Sequence, residues 1–141
     1  MIVEAADDLK YSCSYYPGNN QQFMAGYDSP ILPPKDAELF HCHVARLLFA
    51  SKRARPSTQV CVAVLCTRVK SPTEQDYKKL GRVISYLEET IHLPHVIGAD
   101  NSGTLTWNIN VLFAVHPDCK SHTGACLTLG HASVISISAK Q

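Results

Sequence analysis

No run of apolar residues in this sequence approaches the roughly 20 needed to cross a bilayer as a helix. A membrane-spanning protein is therefore not expected. Nor does a basic segment followed by an apolar one open the chain. Residues 1–10 hold Glu4, Asp7 and Asp8, which argues against a secretory leader. The six cysteines are then expected to be reduced thiols of an intracellular protein, in cytoplasm or nucleus, and not a disulfide framework. Excess charge is also missing. Thirteen Lys and Arg face twelve Asp and Glu, for a formal net charge of +1, so overall charge does not make this a strong polyanion binder. Zinc-ligand spacing is absent too. Cys61 and Cys66 lie five apart, where a zinc knuckle needs two to four. In His41-Cys42-His43 the two histidines do not share one face of a helix. No Ser, His and Asp are recognisable as a nucleophilic triad. What is present is core material: hydrophobic residues make up 45% and charged residues 18% of 141 residues, enough to bury a core.

Along the chain, residues 1–35 read as an irregular lead-in rich in turn formers, with "YPGNNQQ" and "ILPP". Residues 36–52 read as a helix, because Phe40, Val44, Leu47 and Leu48 make one apolar face; Asp36 is the expected N-cap. "VCVAVLC" at 60–66 is ambiguous. Its β-branched residues favour a buried strand, yet periodicity does not separate that from a buried helix. Residues 71–91 form the plainest helix. "SPTE" offers Ser71 as N-cap, Pro72 at the first helical position and Glu74 at the third, a capping box. Tyr77, Leu80, Ile84, Leu87 and Ile91 line its apolar face, with Lys78, Lys79, Arg82 and Glu88 away from it. From 105 to 115 the pattern has period two: Leu105, Trp107, Ile109, Val111, Phe113 and Val115 share one face, and Thr106, Asn108 and Asn110 the other. After the loop "HPDCKS", residues 123–129 and 133–138 read as two more strands joined at Gly130-His131. The expected fold is α+β: helices first, then a three-stranded antiparallel meander. Three strands with an uncovered apolar face are marginal, so the preceding helices are expected to cover it.

Several motifs, in order, carry a resemblance. They are Leu47-Leu48-Phe49, then Ala54-Arg55-Pro56-Ser57, then the apolar segment 60–66. After these come Pro72 to Asp76, and Arg82 through Tyr86-Leu87 to Thr90. The run "FAVHPDCKSHTGACLTLG" and the final "SISAKQ" follow. Residues 36–141 thus resemble copia-type retrotransposon polyproteins, in the region from the reverse-transcriptase thumb or connection into the first half of RNase H. The resemblance implies a helical thumb- or connection-like segment over 36–98 and a truncated RNase H-like meander over 104–141. It also implies that the ambiguous run, as residues 58–68, is helix.

In that family the RNase H strand opens with "D-A-S-F/Y-A-V-H". Counting back from Phe113-Ala114-Val115-His116 places the acid's position at Asn110. RNase H chemistry needs carboxylates that hold two divalent ions roughly 4 Å apart; the parent enzyme uses magnesium. A neutral amide cannot bridge two such ions. The family's next carboxylate, in an "SS-x-E-A-E" helix, lies beyond Gln141, and no "YxDD" polymerase motif occurs in the chain. The expectation is therefore a polyprotein fragment with no cofactor and no catalysis of its own, Asn110 being a vestigial position. Asp118, in a loop after a proline, is expected to stabilise a turn. Two basic clusters remain, Lys52, Arg53 and Arg55, then Lys70, Lys78, Lys79 and Arg82. They are candidates for weak contacts to an RNA–DNA hybrid or other duplex. The other expected partner is the rest of the polyprotein. A retained nucleic-acid-binding or protein-interaction module of the same origin is the alternative.

Overall fold

The computed structural model describes residues 16–19, 22–24 and 28–141. The order of elements is α1 (Pro34–Arg53), a 3-10 turn (Pro56–Thr58), α2 (Gln59–Cys66), α3 (Glu74–Glu89), β1 (Thr106–Leu112), β2 (His122–Thr128) and β3 (Ser133–Lys140). The fold is α+β, with the helices first and one three-stranded antiparallel sheet of order β1-β2-β3 after them. Among the described residues, no helix is long and apolar enough to cross a membrane.

The core lies where the helices meet. Phe40, Val44 and Leu47 of α1, Val62 and Leu65 of α2, and Leu80, Val83, Ile84 and Leu87 of α3 are all buried in one cluster. Their spacing in α1 and α3 is that of a single helical face. The ambiguous apolar run is helical, and its surroundings give the reason. α2 packs against α1, α3 and β3, so an eight-residue helix buried on several sides is apolar nearly all round.

Both helix starts differ from the sequence reading. α1 begins at Pro34, with Pro33 as N-cap and no side-chain cap. Proline's locked φ suits the first helical position, and Asp36 lies inside the first turn, where its charge favours the helix dipole. α3 begins two residues later than the "SPTE" box implies. Thr73 is the N-cap and Asp76 the third residue, and a capping box closes between them. The sequence "SPTEQD" contains two overlapping boxes, and a tertiary contact selects between them. Ile31 makes a β-bridge with Thr73, and Leu32 N–H donates to Pro72 O at 2.9 Å. That pairing holds Thr73 extended, so the helix starts after it. The same segment satisfies two more free donors of α3: Glu74 N–H bonds Pro30 O at 3.0 Å, and Gln75 N–H bonds Ser29 Oγ at 3.1 Å. The irregular lead-in read over 1–35 falls outside the described residues at 1–15, 20–21 and 25–27; 28–33 forms this brace. Ile91 lies beyond the end of α3 and is exposed.

In the sheet, Trp107 lies opposite Leu127 and Leu127 opposite Ile135; Ile109, Ala125 and Ile137 form the next row, and Val111, Thr123 and Ala139 the third. These rows make the apolar face foreseen from the alternation. The helices do not cover it. On β3 the residues of the opposite face, Ser136, Ser138 and Lys140, are half-buried, whereas Ile135, Ile137 and Ala139 are exposed. α2 meets β3 along its free edge, where Gln59 Nε2 donates to the backbone oxygen of Ser136 at 2.7 Å. The turn between β2 and β3 depends on Gly130. Its φ is +83°, and an added Cβ there would sit 2.5 Å from Asp100 N.

Candidate functional site

Charged and titratable side chains converge where α2 and α3 meet the loop from β1 to β2. They line a cleft of about 180 Å³ that includes Arg68, Asp76, Lys79, His116, Asp118 and Lys140. On the helical side, Asp76 is buried. Its Oδ2 accepts from Arg68 Nε at 3.1 Å, from Thr73 N at 3.0 Å and from Thr73 Oγ1 at 3.0 Å. One carboxylate thus caps a helix and anchors a guanidinium. Lys79, one turn on, is only 8% exposed. Its Nζ donates to Gln22 O at 3.3 Å and Met24 O at 2.5 Å. Burial pulls the Lys79 ammonium below its ordinary value and Arg68 adds to this, against the opposing pull of Asp76. The amphipathic reading put Lys79 on the wet face of α3. It is buried instead, because the segment 22–24 lies over that face.

On the sheet side, His116 and His122 are both buried. His116 Nε2 lies 2.9 Å from His122 Nδ1, and His122 Nε2 lies 2.7 Å from Ser138 Oγ. The Phe23 ring presents edge contacts to both imidazoles, with centroids 5.5 Å away. The chain of contacts joins the loop, β2 and β3. Burial pushes both imidazoles below 6.5, and Lys140 adds to the effect at His116. Only one nitrogen can carry the proton between the rings, so the pair is stable when both rings are neutral. Ser–His–His order resembles a nucleophile with base and orienter, but its contacts here bind the edge of the sheet to its loop. The loop itself is closed by Cys119 N–H on His116 O at 2.9 Å and His116 N–H on Lys120 O at 3.2 Å. Asp118 pairs with Lys140 Nζ at 2.7 Å, and that bond holds its carboxyl below the usual range.

Asn110 stands elsewhere, in the middle of β1 opposite Gly124, and is exposed. Its neighbours on the polar face are Asn108, Gly124, Cys126, Ser136 and Ser138 by register. None carries a carboxylate. Among the described residues, no group of three or more His, Cys, Asp and Glu is placed to hold a metal ion. Asn110 and these neighbours present amides, hydroxyls and a thiol, and no carboxylate, on that face.

The candidate basic residues separate into two kinds. Lys52, Arg53, Lys78 and Arg82 are exposed. Lys52 and Arg53 border a groove of about 430 Å³ along β3, with Gln59 and residues of both its faces, Ile135, Ile137 and Ala139 as well as Ser136 and Ser138. Arg55 is committed within the fold: Nη1 donates to Thr90 O at 2.8 Å, Nη2 to Thr90 Oγ1, and the guanidinium lies over the Tyr86 ring. It ties the exit of α1 to the end of α3. Lys79 is committed likewise. The signal of the histidine pair in the sequence is the close spacing of His116 and His122 across one loop; Ser138 joins them only through the pairing of β2 with β3. No protein-family model, no curated protein and no solved structure matches the chain.

Proposed function

We propose that this chain is part of a copia-type retrotransposon polyprotein, from the reverse-transcriptase thumb or connection into RNase H, without catalytic activity of its own. The parent activity is RNA-directed DNA synthesis with cleavage of the RNA–DNA hybrid. The observation that carries the reading is Asn110. Motifs in the family's order lead to a strand whose central position, an acid in the family, holds an exposed amide among neutral neighbours. Such a face can touch a hybrid but cannot gather the charge of two metal ions. Contact with a duplex falls to the exposed cations Lys52 and Arg53 beside the β3 groove, and to Lys78 and Arg82 on α3. With a net charge of +1, that contact is weak and salt-sensitive.

The alternative is a retained non-catalytic module that binds nucleic acid or protein. The closed core of the helical segment favours it, since such a core supports folding without neighbours. The two are separated by a thermal melt of the purified chain, with and without an RNA–DNA hybrid and magnesium. A cooperative transition raised by hybrid favours the retained module. A broad transition, unmoved by hybrid, favours the polyprotein piece. Hybrid cleavage by the unmodified chain would end both readings.

A further inference from the structure

We propose that the open apolar face of the sheet is an interface between two copies of this chain. Trp107 is 51% exposed, Ile109 68%, Val111 51%, Ile135 48% and Ile137 46%. At those exposures the five side chains leave on the order of 500 Å² of apolar surface in water, the size of the largest patch that a typical monomer shows. Two such faces together approach the roughly 1,200 Å² at which stable interfaces begin.

Three features of the face select a second copy as the occupant. The face is neutral: none of the nine residues in its three rows is charged, so two copies meet without like-charge repulsion. The cations Lys52 and Arg53 border β3 in a groove that Ile135, Ile137 and Ala139 also line, at the edge of the face farthest from Ile109 on β1. Its relief is also self-complementary. Ala125 makes a hollow in the central row between Ile109 and Ile137. In a two-fold pair, Ile109 of each copy fills the hollow over Ala125 of the other, a reciprocal contact of the kind an isologous dimer requires. Two sheets stacked in this way lie about 10 Å apart, with their strands within about 30° of each other. The proposal is independent of any nucleic-acid role.

The test is sedimentation equilibrium on the full chain across a wide concentration range. Ile109→Lys and Asn108→Lys are measured beside it. Both positions are exposed on β1 and point to opposite faces, so neither charge enters the monomer's core, and circular dichroism checks that each variant folds. The unmodified chain is expected to pass from one copy to two as concentration rises. Ile109→Lys is expected to weaken association by at least about tenfold, and Asn108→Lys to leave it unchanged. A chain that stays monomeric throughout overturns the proposal and assigns the face to another molecule. Growth beyond two copies overturns it as well, as does an equal loss in both variants.

Discussion

The histidine pair shows how one contact makes stability depend on pH. Both imidazoles are held below 6.5, first by burial. Above pH 6.5 neither the folded nor the unfolded state carries the proton, and the contact contributes fully. As pH falls through 6.5, the unfolded chain takes up protons that the folded pair refuses, so stability declines until the folded value is reached. The denaturation midpoint is therefore expected to drop between pH 7.5 and 5.5, and His122→Gln should flatten part of that slope. An unchanged slope would mean that the pair is not titrating as a buried unit. Lys79 illustrates a different consequence of burial. Lys79→Ala leaves the carbonyls of Gln22 and Met24 without their donor and should cost about 1–3 kcal/mol in a chemical melt, whereas Lys78→Ala, on the exposed side of α3, should be nearly neutral. Cys61 is buried, and its thiol is pushed up to about 11, so it should be inert to alkylation in the folded chain. Asn110→Asp alone should not restore hybrid cleavage, because one carboxylate among amides and hydroxyls does not hold two metal ions. Gel analysis of a labelled hybrid with magnesium decides it.

At the scale of the element, the start of α3 offers the sharpest comparison. Two overlapping boxes are written in "SPTEQD", and the bridge from Ile31 to Thr73 chooses the second. Thr73→Ala should therefore destabilise by about 0.5–2 kcal/mol, and Ser71→Ala should do almost nothing; the reverse order in a urea melt would restore the first box. The helices α1 and α3 were legible because Phe40, Val44 and Leu47, and Leu80, Ile84 and Leu87, recur with the helical period. α2 was not legible from its residues. An apolar run of β-branched side chains has no wet face to set its period, and only its burial against α1, α3 and β3 explains it. The three strands were legible from alternation and from Gly130, to within three residues at their ends. β1 ends at Leu112, because the chain turns at Ala114, where φ is +50°, and Phe113 and Val115 leave the alternating face.

For the whole molecule, the sheet is joined to the rest of the chain along the free edge of β3 and by its polar side. The expectation that the helices cover the apolar face fails for a physical reason. Alternation states which residues share a face, and says nothing about which face meets the rest of the chain. The connection is made by Gln59 on the backbone of β3, and by Phe23 against two buried imidazoles that satisfy each other. Electrostatics operate at this scale as well. Of the cations marked in the sequence, Arg55 and Lys79 serve the fold, which leaves Lys52, Arg53, Lys70, Lys78 and Arg82 exposed as the candidates for the proposed duplex contact. Fluorescence anisotropy with an RNA–DNA hybrid at several salt concentrations should show weak binding. Replacing Lys52 and Arg53 together should reduce the slope of log affinity against log salt by about 2. A slope unaffected by that double change would remove the β3 groove from the nucleic-acid surface.

By itself the sequence determined the α+β order, the helical faces that make the core, the three-strand meander and the neutral amide at Asn110. These are properties of spacing and residue type, which neighbours in the chain are enough to specify. Tertiary structure alone decided where α3 begins, that "VCVAVLC" is a helix among helices and a strand, and that Lys79 is dry. It also decided that His116, His122 and Ser138 form one tie, and that the apolar face of the sheet looks outward. Each of these depends on contacts between residues far apart in sequence. The free energy of burying a group depends on what lies over it, and local pattern does not carry that information.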